Sequence, residues 1–75
     1  MERKIHEIAT EICSKWTKVY FGAEPYLAAM QTLNTIDDMY FEDSAKEIIL
    51  YFLSNASTWR GEDARRIKQE LKSII

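Results

Sequence analysis

Six apolar residues in succession, Ile48-Ile49-Leu50-Tyr51-Phe52-Leu53, constrain this chain more than any other stretch. Read as a helix over residues 44–56, the segment puts Ala45, Ile48, Ile49, Phe52 and Ala56 on one face. Leu50, Tyr51 and Leu53 spread outward from that face, and Glu47 and Ser54 leave a narrow polar strip. A helix apolar nearly all round has to be covered by neighbours. The rest of the chain is therefore expected to supply the covering layers, with this helix at the centre.

Seventy-five residues suffice for one domain, near the lower limit at which a single core offsets the entropy of ordering the chain. An apolar fraction of 47% is too high for a disordered chain. Two glycines and one proline leave little material for the turns of an all-β fold, so helices are the economical solution. A single cysteine, Cys13, excludes an internal disulfide and points to a reducing compartment. No apolar run approaches the ~20 residues that span a bilayer. The segment Met1-Glu2-Arg3-Lys4 leads into an amphipathic pattern without a signal-peptide core, which predicts a cytoplasmic protein.

The pattern predicts an all-α, four-helix bundle-like domain with helices at 3–20, 25–33, 44–56 and 61–74. In the first, Ile5, Ile8, Ile12, Trp16 and Val19 recur at helical spacing, with Gly22 suited to a left-handed position just past the end. Pro25 suits the opening of the second helix, where its missing N–H costs nothing. Ser44-Ala45-Lys46-Glu47 has the form of a capping box and marks the start of the third. The fourth buries Ala64, Ile67, Leu71, Ile74 and Ile75, and Glu62 and Asp63 in its first turn complement the helix dipole. Between them, residues 34–43 lose the helical period and read as an acidic loop. Its apolar triplet Met39-Tyr40-Phe41 either folds back over the core or forms a small exposed patch of the kind that marks an interaction site; folding back is the expectation, because the core needs the area.

Charge is unevenly distributed. Residues 21–43 carry five acids and no Lys or Arg, whereas residues 44–75 carry six Lys or Arg against four acids. On the fourth helix Arg65, Lys68 and Lys72 line one flank of the apolar stripe, and Glu62, Asp63 and Glu70 lie toward the other. The basic flank either faces the acidic loop of the same molecule or docks a partner protein or a second copy, with charge setting the orientation. Trp59, beside the turn into that helix, suits a plug between helix ends. With Arg60 and the basic flank, the Trp59-Arg60-Gly61 turn forms the candidate interaction surface: Trp59, Arg60, Arg65, Lys68 and Lys72.

Catalytic and metal chemistry find little footing. His6 and Cys13 are the sole residues of their kinds and lie two helical turns apart, about 10 Å, too far for a nucleophile and its base. They also lack the further ligands a metal needs. Asp37, Asp38, Glu42 and Asp43 lack the alternation and the glycine of a calcium loop. No enzyme activity, cofactor or metal is expected. A DNA-binding helix-turn-helix built from helices 44–56 and 61–74 is the alternative, since the last third is basic. It is disfavoured by Glu62 and Asp63, which would sit where such a motif meets DNA, and by the net charge of -2.

The segment from Tyr51 to Lys68, together with Pro25-Tyr26-Leu27-Ala28-Ala29-Met30, resembles small uncharacterised proteins encoded by phages and prophages of low-GC Gram-positive bacteria. That resemblance implies a phage product acting in the host cytoplasm as an adaptor or modulator of a host or phage protein, and it identifies no active site. The combined expectation is a non-enzymatic interaction protein with a protein partner or self-association.

Overall fold

A computed structural model describes residues 3–75; Met1 and Glu2, part of the expected lead into the first helix, lie outside them. The chain forms α1 (Ile5–Lys15), α2 (Glu24–Met30), β1 (Met39–Tyr40), β2 (Asp43–Ser44), α3 (Ala45–Ser54) and α4 (Glu62–Ile74). The fold is mostly helical with a small two-stranded ribbon, which corrects the purely all-α expectation. α1 packs against α2 and α4, while α3 packs against α2 and the ribbon.

α1 buries Ile5, Ile8, Ala9 and Ile12, the stripe its spacing predicts. Its start is tied to the turn after α2: the Ile5 and His6 amides donate to the carbonyls of Asn34 and Leu33 at 3.0 and 2.9 Å. The Lys4 amide donates to the Glu7 carboxylate at 2.8 Å, so donors left free at a helix start find partners. The helix ends at Lys15, five residues before the expected Tyr20. Thr10 and Ser14 turn their hydroxyls onto the backbone carbonyls of His6 and Glu11, which loosens a helix. Trp16 then leaves helical geometry, and its ring stacks on Trp59 at 5.4 Å and 7°. It also meets Phe52 edge-on at 6.2 Å. Tertiary packing of that ring overrides the continuing apolar period.

Gly22 is needed for closeness rather than for a left-handed backbone. A Cβ there would lie 2.5 Å from the Tyr20 ring and 2.9 Å from the Asn55 side-chain oxygen. α2 carries Pro25 in its first turn and buries Leu27, Ala29 and Met30. It ends at Met30 rather than at residue 33, and Thr32 and Leu33 continue as a tighter turn through amide bonds to Ala29 and Met30. The Asp38 carboxylate accepts from the Asn34 and Thr35 amides at 2.7 and 3.2 Å. Those donors, Asn34 first, hold its pKa below the ordinary value.

Where a loop was expected, Met39 pairs with Ser44 and Tyr40 with Asp43 across an antiparallel ribbon. Phe41 and Glu42 form its two-residue tip, and Phe41 has φ +55. Short hairpins favour Asn or Gly at such a position, because a β-carbon in left-handed backbone costs about 1–2 kcal/mol. The triplet divides: Tyr40 packs against the core, while Met39 and Phe41 are 58% and 85% exposed. The expectation that all three fold inward is therefore corrected.

Ser44 caps α3 as its sequence predicts: the Glu47 amide donates to the Ser44 hydroxyl at 3.2 Å and the Ser44 amide to the Glu47 carboxylate at 3.1 Å. Ala45, Ile48, Ile49 and Phe52 are buried. Leu50 and Tyr51 are 42% and 43% exposed, so α3 is covered on one side and is not the enclosed centre of a bundle. α4 buries Ala64, Ile67 and Leu71. Its cap, Gly61, has φ +112, a conformation that L side chains rarely adopt.

Ion pairs lock α4 to α1. Arg3 reaches Glu11 at 2.8 Å and Glu70 at 2.6 Å, while Arg66 reaches Glu11 at 2.6 Å and Asp63 at 3.2 Å. Arg66 thus pairs with Glu11 and Asp63 and not with Glu62 and Glu70, its neighbours four residues away on the same helix. The Arg66 guanidinium, then Arg3, hold Glu11 from its ordinary 4.5 down to about 2. Folded Glu11 therefore binds fewer protons than unfolded Glu11 in that range, and its contribution is present above about pH 4.5 and lost as pH falls toward 2. Urea unfolding between pH 4.5 and 2 should show a shallower loss for Glu11→Gln than for the wild type; parallel profiles would contradict this role. Trp59→Ala should lose ~3–5 kcal/mol, the range for a buried aromatic truncation. Thermal or urea unfolding checks it, and an unchanged midpoint would mean the ring contributes nothing.

Candidate protein-interaction surface

The turn 57–61 and the outer side of α4 enclose an open cleft of about 360 Å³. Trp59, Gly61 and Ala64 form its apolar part, and Arg60, Arg65 and Lys68 its basic part. Local sequence dictates the shape. The Trp59 amide donates to Ala56 O at 3.0 Å, closing a turn, and Gly61 redirects the chain into α4.

The five residues expected to form a surface are gathered in one region but divide by role. Trp59 is 5% exposed and stacked on Trp16, so it supports the cleft and is not a free contact residue. Lys68 is also committed internally: its Nζ donates to Ala56 O and Trp59 O, each at 2.7 Å. Burial, followed by repulsion from Lys72 and Arg60, holds its pKa below the ordinary lysine value. Its four-carbon stem thus ties α4 to the turn after α3. Arg60, Arg65 and Lys72 remain exposed. Among the described residues, no salt bridge engages them, and none joins the basic flank to the acidic 37–43 segment. Glu62, exposed at the start of α4, is the acid next to this cluster in sequence; Asp63 is drawn toward Arg66 and Lys15.

Other candidate groups are not assembled into chemistry. Cys13 is exposed and its Sγ accepts from the Gln31 side-chain amide at 3.0 Å, while His6 is half-buried. Among the described residues, no group of three or more His, Cys, Asp or Glu could hold a metal ion. No helix there is long and apolar enough to cross a membrane. A hollow of about 460 Å³ lies beside Lys4, Asn34 and Asp37, and its Arg3 is committed to Glu11 and Glu70. The connection between α3 and α4 occupies residues 55–61, longer than the three- or four-residue turn of a helix-turn-helix.

Two further apolar features lie at the surface. The first is the ribbon tip with Met39 and Phe41. The second comprises two aromatic pairs, Tyr20 against Phe21 at 4.8 Å and the half-buried Tyr26 against the more exposed Tyr51 at 5.4 Å. A break of α1 at Trp16 is what frees Tyr20 and Phe21 from helical register.

Comparison with protein-family models, curated proteins and solved structures found no match. The division between committed and free cations is the most discriminating feature of the surface. Lys68→Met should cost about 1.5–3 kcal/mol by orphaning two carbonyls that accept from a charged donor. Lys72→Met should stay within about 0.5 kcal/mol. Equal effects in chemical unfolding would contradict the division.

Proposed function

We propose that this chain is a non-enzymatic protein-interaction module that receives an acidic segment of a protein partner along the basic edge of α4. The observation that carries this reading is the contrast among the cations. Arg3, Arg66 and Lys68 are used to hold the fold, whereas Arg60, Arg65 and Lys72 stand exposed beside an open, partly apolar cleft. Charge at such a rim steers and orients a partner more than it adds affinity. The apolar part of the cleft, backed by the stacked tryptophans, offers a place for one side chain of that partner.

In this reading the protein is an adaptor or modulator, phage-encoded and at work in the host cytoplasm, as the resemblance of its Tyr51–Lys68 segment implies. The helix-turn-helix alternative is less well supported. The long 55–61 connection does not suit it, and Glu62 and Asp63 lie exposed in the first turn of the would-be recognition helix.

The test is titration with a short acidic peptide containing one phenylalanine, read by tryptophan emission. Saturable binding should weaken with salt, as screening requires. It should fall roughly tenfold or more when Arg60, Arg65 and Lys72 are together changed to Glu, with helicity by circular dichroism retained. Binding indifferent to that charge reversal, or no binding at low salt, would refute the proposed surface.

A further inference from the structure

Phe41 is placed at a cost on two counts. Its backbone is left-handed at φ +55, and its ring is 85% exposed. Glycine or asparagine would relieve the first cost and a polar residue the second, so neither local structure nor burial accounts for phenylalanine there. The ring leans edge-on against Tyr40 at 4.8 Å, and Tyr40 is packed on the core, which fixes its direction. The ribbon is anchored at its base by the Ala45 amide bonding to Asp38 O at 3.0 Å and by the capped start of α3. A strained, exposed and well-supported aromatic has the character of a binding anchor.

Its surroundings define what it fits. Asp37, Glu42 and Asp43 are exposed around the ribbon, and among the described residues no salt bridge uses them. Lys46 in the first turn of α3 is the cation next to them in sequence. The ribbon tip is thus an aromatic knob in an acidic collar. The chain itself carries the complement, a shallow cleft in which the exposed Gly61 offers a place for the ring, with the buried Trp59 and Ala64 as its backing and Arg60 and Arg65 to face the collar.

We infer that the chain self-associates head to tail, the Phe41 tip of one copy entering the Trp59–Arg65 cleft of the next. This rests on the cleft being the binding surface, and it names the occupant as a second copy. Knob and cleft are different patches, so the contact is heterologous. Each copy that joins leaves one of each unfilled, and the chain of contacts either closes into a ring or grows. The area of a single ribbon tip is small, which implies weak, concentration-dependent association that salt dissociates.

Complementation between two defective variants tests this directly. Phe41→Gly removes the knob and keeps the cleft; Arg60→Glu/Arg65→Glu reverses the cleft and keeps the knob. By sedimentation velocity from micromolar to millimolar concentration, the wild type should form dimers and larger species. Each variant alone should remain monomeric and helical. Mixed, the two should form a one-to-one heterodimer and nothing larger, because only one functional knob and one functional cleft are present. At concentrations too low for the wild type to assemble, Phe41→Gly should also raise the melting temperature, since glycine relieves the left-handed backbone. A wild type monomeric throughout, or a mixture that forms no heterodimer, overturns the inference. A synthetic peptide spanning residues 37–44 separates the two levels of the argument. If it binds the cleft of Phe41→Gly while the wild type stays monomeric, self-pairing falls and the cleft remains a receptor for acidic partners. If the acidic phenylalanine peptide also fails to bind, the cleft reading falls with it.

Discussion

The parallel stack of Trp16 on Trp59 is the contact on which the turn after α3, and the cleft that turn shapes, depend. It joins the end of α1 to the turn after α3, and Phe52 brings α3 itself to the same point. Three segments distant in sequence meet at one aromatic cluster. Offset or edge-to-face rings add about 0.5–1.5 kcal/mol beyond their buried area, and in a chain of 75 residues such increments are a sizeable part of the total. Lys68 completes the arrangement by tying α4 to the carbonyls of Ala56 and Trp59. Fold and surface are inseparable here, because the buried face of Trp59 and the turn it holds also shape the basic cleft.

A division of labour among charges follows from the same geometry. The α1–α4 seam uses Arg3 and Arg66 against Glu11, Glu70 and Asp63, partly shielded from water. Individually such pairs contribute little, but as a connected set they fix the register of one helix on the other. Arg60, Arg65 and Lys72 have no such task. Among the described residues, no salt bridge engages the acids of the ribbon either, and the neighbouring Asp38 accepts from the backbone amides of Asn34 and Thr35. The molecule therefore presents an acidic, aromatic projection and a basic, partly apolar recess, while satisfying its own seam with other residues.

Much of this architecture can be read from local signals. The apolar spacing of Ile5, Ile8 and Ile12, Pro25 at the start of α2, the Ser44–Glu47 box and the Ala64-Ile67-Leu71 stripe each appear where expected, because each is decided within one helical turn or two. The failures involve distant contacts. Trp16 leaves α1 for a partner 43 residues later, at Trp59, and no window of sequence shows that. The ribbon escapes notice because its tip carries Phe-Glu where the hairpin signal is Asn-Gly. The six-residue apolar run suggested an enclosed helix, yet Leu50 and Tyr51 face outward, since an apolar run alone does not say how many sides have neighbours. At the surface, the basic residues were recognisable as a group. Which of them were committed internally, as Lys68 is, depended on carbonyls whose positions only the fold reveals.

Native-state amide hydrogen exchange at Trp59 in a Trp16→Phe variant tests the central dependence most directly. The Trp59 amide is bonded to Ala56 O within the turn and lies outside every helix, so its protection reports the turn's own stability. If the ring stack holds the cleft, that amide and its neighbours should exchange much faster in the variant while the buried amides of α2 keep their protection. Unchanged protection across residues 56–61 would show that the turn stands without the stack.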